Sequence, residues 1–198
     1  MKKTQFVTSI LLGAASISGF AQSNGSTAFI KAVDDKKFAI YLNEPQKEHT
    51  NLFIKDQDGS TLYFSKIKGD KAYAKVYNMS QLSDGEYQLV LEGSKVIQTI
   101  PLQLDDNNMS INNSERITVF KPHITHKDNF LDLMVFSPEK GRYELTIYDS
   151  NNSIVYNRSL ESSLKIEKRF DISGLKPGNY NVMVTGVHGQ YSYTLPVD

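Results

Sequence analysis

The chain has 198 residues, 39 % of them apolar and 22 % charged, which suits one large or two small folded domains. Lysine plus arginine equals aspartate plus glutamate, 22 of each, so no strong field draws the chain to nucleic acid or an anionic membrane surface. Cysteine is absent, which excludes disulfides, thiolate metal sites, cysteine nucleophiles and a lipid-modified cysteine.

The first predicted element is a leader. MKKTQ supplies Lys2 and Lys3, and residues 6–21, FVTSILLGAASISGFA, are apolar and small. A positive start, an apolar centre and small residues at the end describe a secretory signal peptide, with cleavage expected after Ala21 and Gly19 at the other small position. A membrane anchor is disfavoured, because the run is shorter than the roughly 20 residues a spanning helix needs. Cleavage removes two lysines and leaves a mature chain of charge about −2, with no further apolar run long enough to span.

Beyond the leader the apolar pattern has period two. Phe38, Ile40 and Leu42 share one face, as do Tyr87, Leu89 and Leu91. Turn signals fall between such runs at DQDG (56–59), SDG (83–85), SNNS (150–153) and KPG (176–178). Alternation with Val, Ile, Tyr and Phe predicts half-buried strands. Leu164, Ile166, Phe170 and Ile172 keep one parity, interrupted by Lys168. The acidic, Asn-rich QLDDNNMSINNS (103–114) favours turns over ladders, and a linker is predicted over 105–114.

The phrase LSDGEYQLVL (82–91) returns as LKPGNYNVMV (175–184). Sliding the chain by 93 positions also aligns Ser80 with Ser173, Asp56 with Asp149, Leu52 and Ile54 with Leu145 and Ile147, and Pro45 with Pro138. The chain therefore reads as a duplicated module of about 80 to 90 residues, too long a period for a solenoid. The expected division is a signal peptide over 1–21, one copy over 24–104, the linker, and a second copy over 115–198. About seven short strands per copy, with turns every 8 to 12 residues, predict an all-β protein of tandem immunoglobulin/fibronectin-III-like β-sandwiches.

The repeated phrase has a mechanical reading. Leu82 and Leu175 plug the end of each sandwich. Gly85 and Gly178 let the backbone turn where a side chain is expected to clash. Tyr87 and Tyr180 then start the next strand with the ring inward and the hydroxyl returned to upstream backbone, as in a tyrosine corner.

Residues 130–198 resemble the carboxy-terminal sorting domain of the type IX secretion system, found in Bacteroidota, and related small secreted sandwiches. The likeness lies in YELTIYDSNNSIVYNRSL, FDISGLKPGNYNVMVTG and the last strand YSYTLPV, with FAQ closing the leader. It implies the sandwich fold and a bacterial, exported setting: periplasm, cell surface or medium. A passenger whose second copy is a sorting domain is the alternative it raises. Against that role, such domains end on a basic hydrophobic strand and follow a large cargo, whereas this chain ends LPVD behind another copy. LKPGNY also looks like the fibronectin type III turn, one residue short.

Candidate sites are few. His123 and His126 in HITH lie three apart and face opposite sides of a strand, so no shared metal is expected. Asp56 and Asp58 begin like a calcium loop, but the later ligands are missing and a hairpin turn accounts for Asp-Gly. No G-x-S-x-G phrase occurs, and no serine has a diagnostic context near His49 or His188. No cofactor, metal or catalytic residue is assigned, and no enzyme is expected. Tyr41, Phe53, Tyr63, Tyr148 and Tyr156 have outward parity and suit cross-strand pairs, an interface between the copies, or contact with a protein or surface glycan.

Overall fold

The computed structural model describes residues 8–11, 28–42, 49–68, 73–106, 108–138, 141–161 and 164–197. Most of the expected leader lies outside them. Within it, β1 (Thr8–Leu11) is a strand. The chain forms two compact units, residues 1–118 and 119–198. Among the described residues there is no α-helix, and a single 3-10 turn spans Asn113–Glu115.

In the first unit, β2 (Phe29–Asp34), β3 (Lys37–Leu42), β4 (Thr50–Asp56), β5 (Thr61–Ile67), β6 (Tyr73–Asn78), β7 (Gly85–Glu92), β8 (Val96–Asp105) and β9 (Asn108–Ile111) follow β1. One antiparallel sheet has the order β1-β6-β3-β2. The other is six-stranded; with β10 (Ile117–Phe120) its order is β10-β8-β7-β4-β5, and β9 is also paired to β8. Inward residues of both sheets form one cluster that includes Phe38, Ile40, Leu52, Ile54, Tyr77, Leu89, Ile100 and Leu102. Burying each such side chain stabilises the fold by about 1.5–3 kcal/mol before the entropy of ordering it.

β10 (Ile117–Phe120) carries the chain into the second unit. There β11 (His123–Lys127), β12 (Phe130–Phe136), β13 (Tyr143–Tyr148), β14 (Ile154–Leu160), β15 (Lys165–Asp171), β16 (Gly178–Gly186) and β17 (Gly189–Val197) make seven strands. They form a three-stranded sheet, β11-β12-β15, and a four-stranded sheet, β14-β13-β16-β17. The second core unites Leu131, Leu133, Val135, Leu145, Ile147, Ile166, Val182 and Val184. Both units are immunoglobulin/fibronectin-III-like sandwiches, as the alternating pattern predicts.

Hydrogen bonds repeat at the 93-residue offset. Met79 N–H donates to the Lys36 carbonyl at 2.7 Å, and Ile172 N–H to that of Asn129 at 2.9 Å. Asp56 Oδ1 accepts from Ser60 N–H at 2.7 Å, and Asp149 Oδ1 from Ser153 N–H at 2.9 Å. The register shifts between Ile54 and Lys55 and again between Ile147 and Tyr148. Each carboxylate thus closes the turn that follows its bulged strand.

Three details differ from the sequence reading. Part of the stretch drawn as a linker is β9, paired so that Asp105 faces Asn108 across a tight hairpin. Residues 115–118 pack with the first unit: Arg116 donates to the Ala28 carbonyl at 3.2 Å and to Asn113 Oδ1 at 2.8 Å. Leu164 precedes β15 and is 62 % exposed, so the inward run begins at Ile166.

Tyr77 ties the first sandwich together. Its ring stacks on Phe38 at 5.2 Å and meets Tyr63 edge-on at 5.7 Å, and its hydroxyl pairs with that of Tyr73 at 2.6 Å. Burial pushes the Tyr77 and Tyr73 phenols above their ordinary value. Raised folded values mean that stability is intact below pH about 10 and falls as pH rises through them. Urea midpoints should therefore decline above pH about 10, and less steeply in Tyr77→Phe; an unchanged alkaline slope in that variant would show that this phenol is not involved.

Candidate functional site

The repeated turn is built alike in both units. Leu82 N–H bonds the Met79 carbonyl and Leu175 N–H that of Ile172, each at 2.9 Å. Leu82 is 9 % exposed within the first core, and Leu175 packs half-buried on the second. Tyr87 Oη donates to the Ser83 carbonyl at 2.7 Å, and Tyr180 Oη to the Lys176 carbonyl at 2.9 Å. Gly85 and Gly178 have φ of +148° and +155°. A Cβ at either position meets nothing within 4 Å, so backbone conformation rather than a clash requires glycine there.

The five aromatics expected to face outward divide differently. Tyr63 is a correction: it is 8 % exposed and belongs to the first core, because β5 pairs it with inward Ile54. Tyr156, 93 positions later, is half-buried and meets Phe170 edge-on at 5.9 Å, as Tyr63 meets Tyr77. Phe53 is half-buried against its cross-strand partner Phe64 at 5.0 Å, with Lys55 over its ring. Tyr41 is half-buried beside Phe29 at 6.1 Å. Tyr148 is half-buried at the bulge of β13. None of the five stands open on the surface.

Three of the exposed large apolar residues share one strand, β12; the others among the described residues, such as Val33, Phe64 and Ile154, are spread over other elements. Phe130, Met134 and Phe136 are 41 %, 44 % and 41 % exposed, all on the outer face of the three-stranded sheet. Their neighbours are fixed by register: Met134 lies between His123 and Glu167, and Asp132 between Thr125 and Arg169. Arg169 Nε and Nη2 each donate to Asp132 at 2.7 Å, a two-pronged pair that leaves the guanidinium 5.3 Å from the centre of the Phe130 ring. The Arg169 bonds hold the Asp132 carboxyl below its usual range, and Asp132 holds the guanidinium above its own. The pair is therefore charged at neutral pH and loosens only in acid, as pH falls through the depressed Asp132 value. His123, Asp132, Met134, Glu167 and Arg169 line a shallow groove on this face.

The other polar candidates are otherwise engaged. His126 shares a hydrogen bond with the Asp128 carbonyl at 2.7 Å, on the opposite parity from His123. Asp56 closes its turn, as described. Asp84, Asp105 and Asp106 approach one another on the surface, where Lys36 Nζ binds Asp84 at 2.6 Å. The sequence reading missed the β12 strip, although FLDLMVF has apolar residues on both parities.

No protein-family profile matches the chain, and no curated protein does. Among solved structures the chain is similar to the chicken interferon gamma receptor alpha chain, with TM-score 0.31 and 10 % identity over 87 % of this chain and 98 % of that one. It is also similar to a two-domain fibronectin type III segment of chicken tenascin, at 0.30 and 10 % over 87 % and 98 %. The BSP domain of a biofilm-associated protein gives 0.28 and 12 % over 82 % of this chain and 27 % of that one. The sandwich assignment stands on strand order and the two buried clusters.

The repeated turn makes a paired prediction. Tyr87→Phe and Tyr180→Phe should each cost about 1 kcal/mol in urea unfolding, through the lost hydroxyl bond. Gly85→Ala and Gly178→Ala should cost more, about 1–3 kcal/mol, since φ near +150° is open almost only to glycine. Alanine variants as stable as the parent would refute the conformational account.

Proposed function

We propose that this chain is an exported tandem β-sandwich that acts by contact, as a non-enzymatic binding or structural surface module. The observation that carries the reading is the strip Phe130, Met134 and Phe136, three large apolar side chains 41–44 % exposed along one strand, with Phe120 edge-on to Phe136 and the Asp132–Arg169 pair beside Phe130. Exposed apolar surface bordered by charge is the usual composition of a contact site. The leader read over 1–21 supports export, and no helix among the described residues is long and apolar enough to cross a membrane. The partner is a protein or a surface glycan, and the modules are drawn from the sequence at 24–104 and 115–198.

A second reading is favoured by one observation. The second unit closes a core of its own, from Leu131 to Leu195, as a transferable tag requires. In that reading it is a type IX sorting domain of a Bacteroidota passenger. Deleting the second unit, 119–198, and fractionating the cells separates the two: retention of the remainder in the periplasm, while the full chain reaches the surface, supports the tag.

For the leading reading, the mature protein is used to capture partners from its own envelope and medium. The triple variant Phe130→Ser, Met134→Ser, Phe136→Ser should lose the captured partner at a stability cost of about 0.5–1.5 kcal/mol at Phe136, whose ring meets Phe120 edge-on at 4.9 Å, about 0.5–1 kcal/mol at Phe130 beside Arg169, and roughly 0.5 kcal/mol or less at Met134, with the fold retained by circular dichroism. Capture that is unchanged in this variant removes the strip from the account. Turnover of a substrate, abolished by one point change that leaves the fold intact, would overturn the non-enzymatic reading.

A further inference from the structure

β1 lies antiparallel along β6, with Thr8 opposite Asn78 and Leu11 opposite Lys75. This strand falls inside the leader read from the sequence. The other edge of β6 is taken by β3. Loss of residues 1–21 would therefore leave the β1 side of β6 as an open sheet edge, with backbone N–H and C=O groups directed outward.

The second unit shows how the same fold treats an edge that stays open. β15 is the last strand of its sheet and reads KIEKRFD, five charged residues in seven. Lys168 has inward parity yet is exposed. Charges on an edge strand, inward-pointing ones above all, oppose pairing with another strand. β6, which stands 92 to 93 positions earlier, reads YAKVYN and has one charge. That residue is Lys75, the counterpart of Lys168. It is half-buried, with Nζ 5.5 Å from the centre of the Tyr77 ring. One edge is guarded, and the other is nearly uncharged with an uncharged strand seated on it.

We infer that β6 is a strand-accepting site. In the mature protein it takes an extended, uncharged segment of a partner protein, with the mixed hydroxyl and branched-aliphatic chemistry of TSIL, as an added antiparallel strand. Until cleavage, the leader holds that place. This rests on the binding-module reading and names the chemistry of the partner.

The test uses the chain from residue 22 and the full chain, each checked for fold by circular dichroism, with a fluorescently labelled peptide VTSILLG (residues 7–13) as the probe. The chain from residue 22 should bind the peptide in an anisotropy titration. The full chain should bind it on the order of tenfold more weakly, because a tethered strand competes at a millimolar effective concentration. Ser9→Pro together with Ile10→Pro in the full chain should restore binding, since two successive prolines remove a ladder N–H whichever side the strand presents. A peptide with the same two prolines should not bind. No binding by the chain from residue 22, or equal binding by both chains, overturns the inference. Self-association of the chain from residue 22 that excludes the peptide overturns the commitment to a separate partner. Failure of the export reading shows elsewhere, as an N-terminus still at Met1 by intact mass in cells, and failure of the contact reading shows in the β12 capture experiment.

Discussion

Two sheets with no disulfide between them depend on side-chain packing to stay face to face. In both units the same cross-sheet contact provides such packing: an aromatic on β6, or on its counterpart β15, meets a tyrosine from the last strand of the other sheet. Tyr77 and Tyr63 form it in the first unit, and Phe170 and Tyr156 in the second. Edge-to-face rings are worth about 0.5–1.5 kcal/mol beyond the area they bury. The phenol at Tyr77 adds a bond to Tyr73, which Phe170 cannot make. The turn tyrosines close the end of each sandwich by a separate bond to backbone.

The two clasps differ in what stands behind them. In the first unit Phe38 stacks on Tyr77 and fills the corner. At the corresponding position the second unit has Leu131, a smaller side chain. Tyr156 is accordingly less buried than Tyr63, and with Phe170, Ile172, Leu175, Val155 and Arg158 it lines a groove of about 240 Å³. The corner that is packed in the first unit is thus accessible in the second.

Most of the fold was legible because period-two alternation reports directly on burial. Phe38, Ile40 and Leu42, or Leu131, Leu133 and Val135, are inward in sequence and in structure. The pattern fails where both faces of a strand are apolar. Leu62, Tyr63 and Phe64 run together, and only pairing with Ile54 decides that Tyr63 is the inward one. The offset of 93 held a clue, since it superposes Tyr63 on Tyr156 and Tyr77 on Phe170, two aromatic positions in step. Phe130, Met134 and Phe136 were hidden for the same reason, in the opposite sense: apolar residues adjoining an inward series read as more core. The strand β9 was obscured because its hairpin turn, next to Asp105, carries the Asp and Asn residues that also mark linkers.

Comparing the copies separates what the fold needs from what it leaves free. The inward residues, the two aspartate turns, the bulges and the repeated Gly and Tyr recur at one spacing. The outer faces do not: Lys37 and Tyr41 on β3 stand where β12 has Phe130 and Met134. Edge strands diverge too, from one charge in β6 to five in β15. A sandwich is indifferent to these positions so long as they stay soluble and do not pair by accident. Differences there are paid for by no core contact, so they are where two copies of one fold can acquire different partners. The apolar strip belongs to the unit with the guarded edge, and the unguarded edge belongs to the unit without the strip. The two copies thus share one core plan and differ in edge charge and outer-face polarity, so what sets their surfaces apart lies outside the residues that the fold requires.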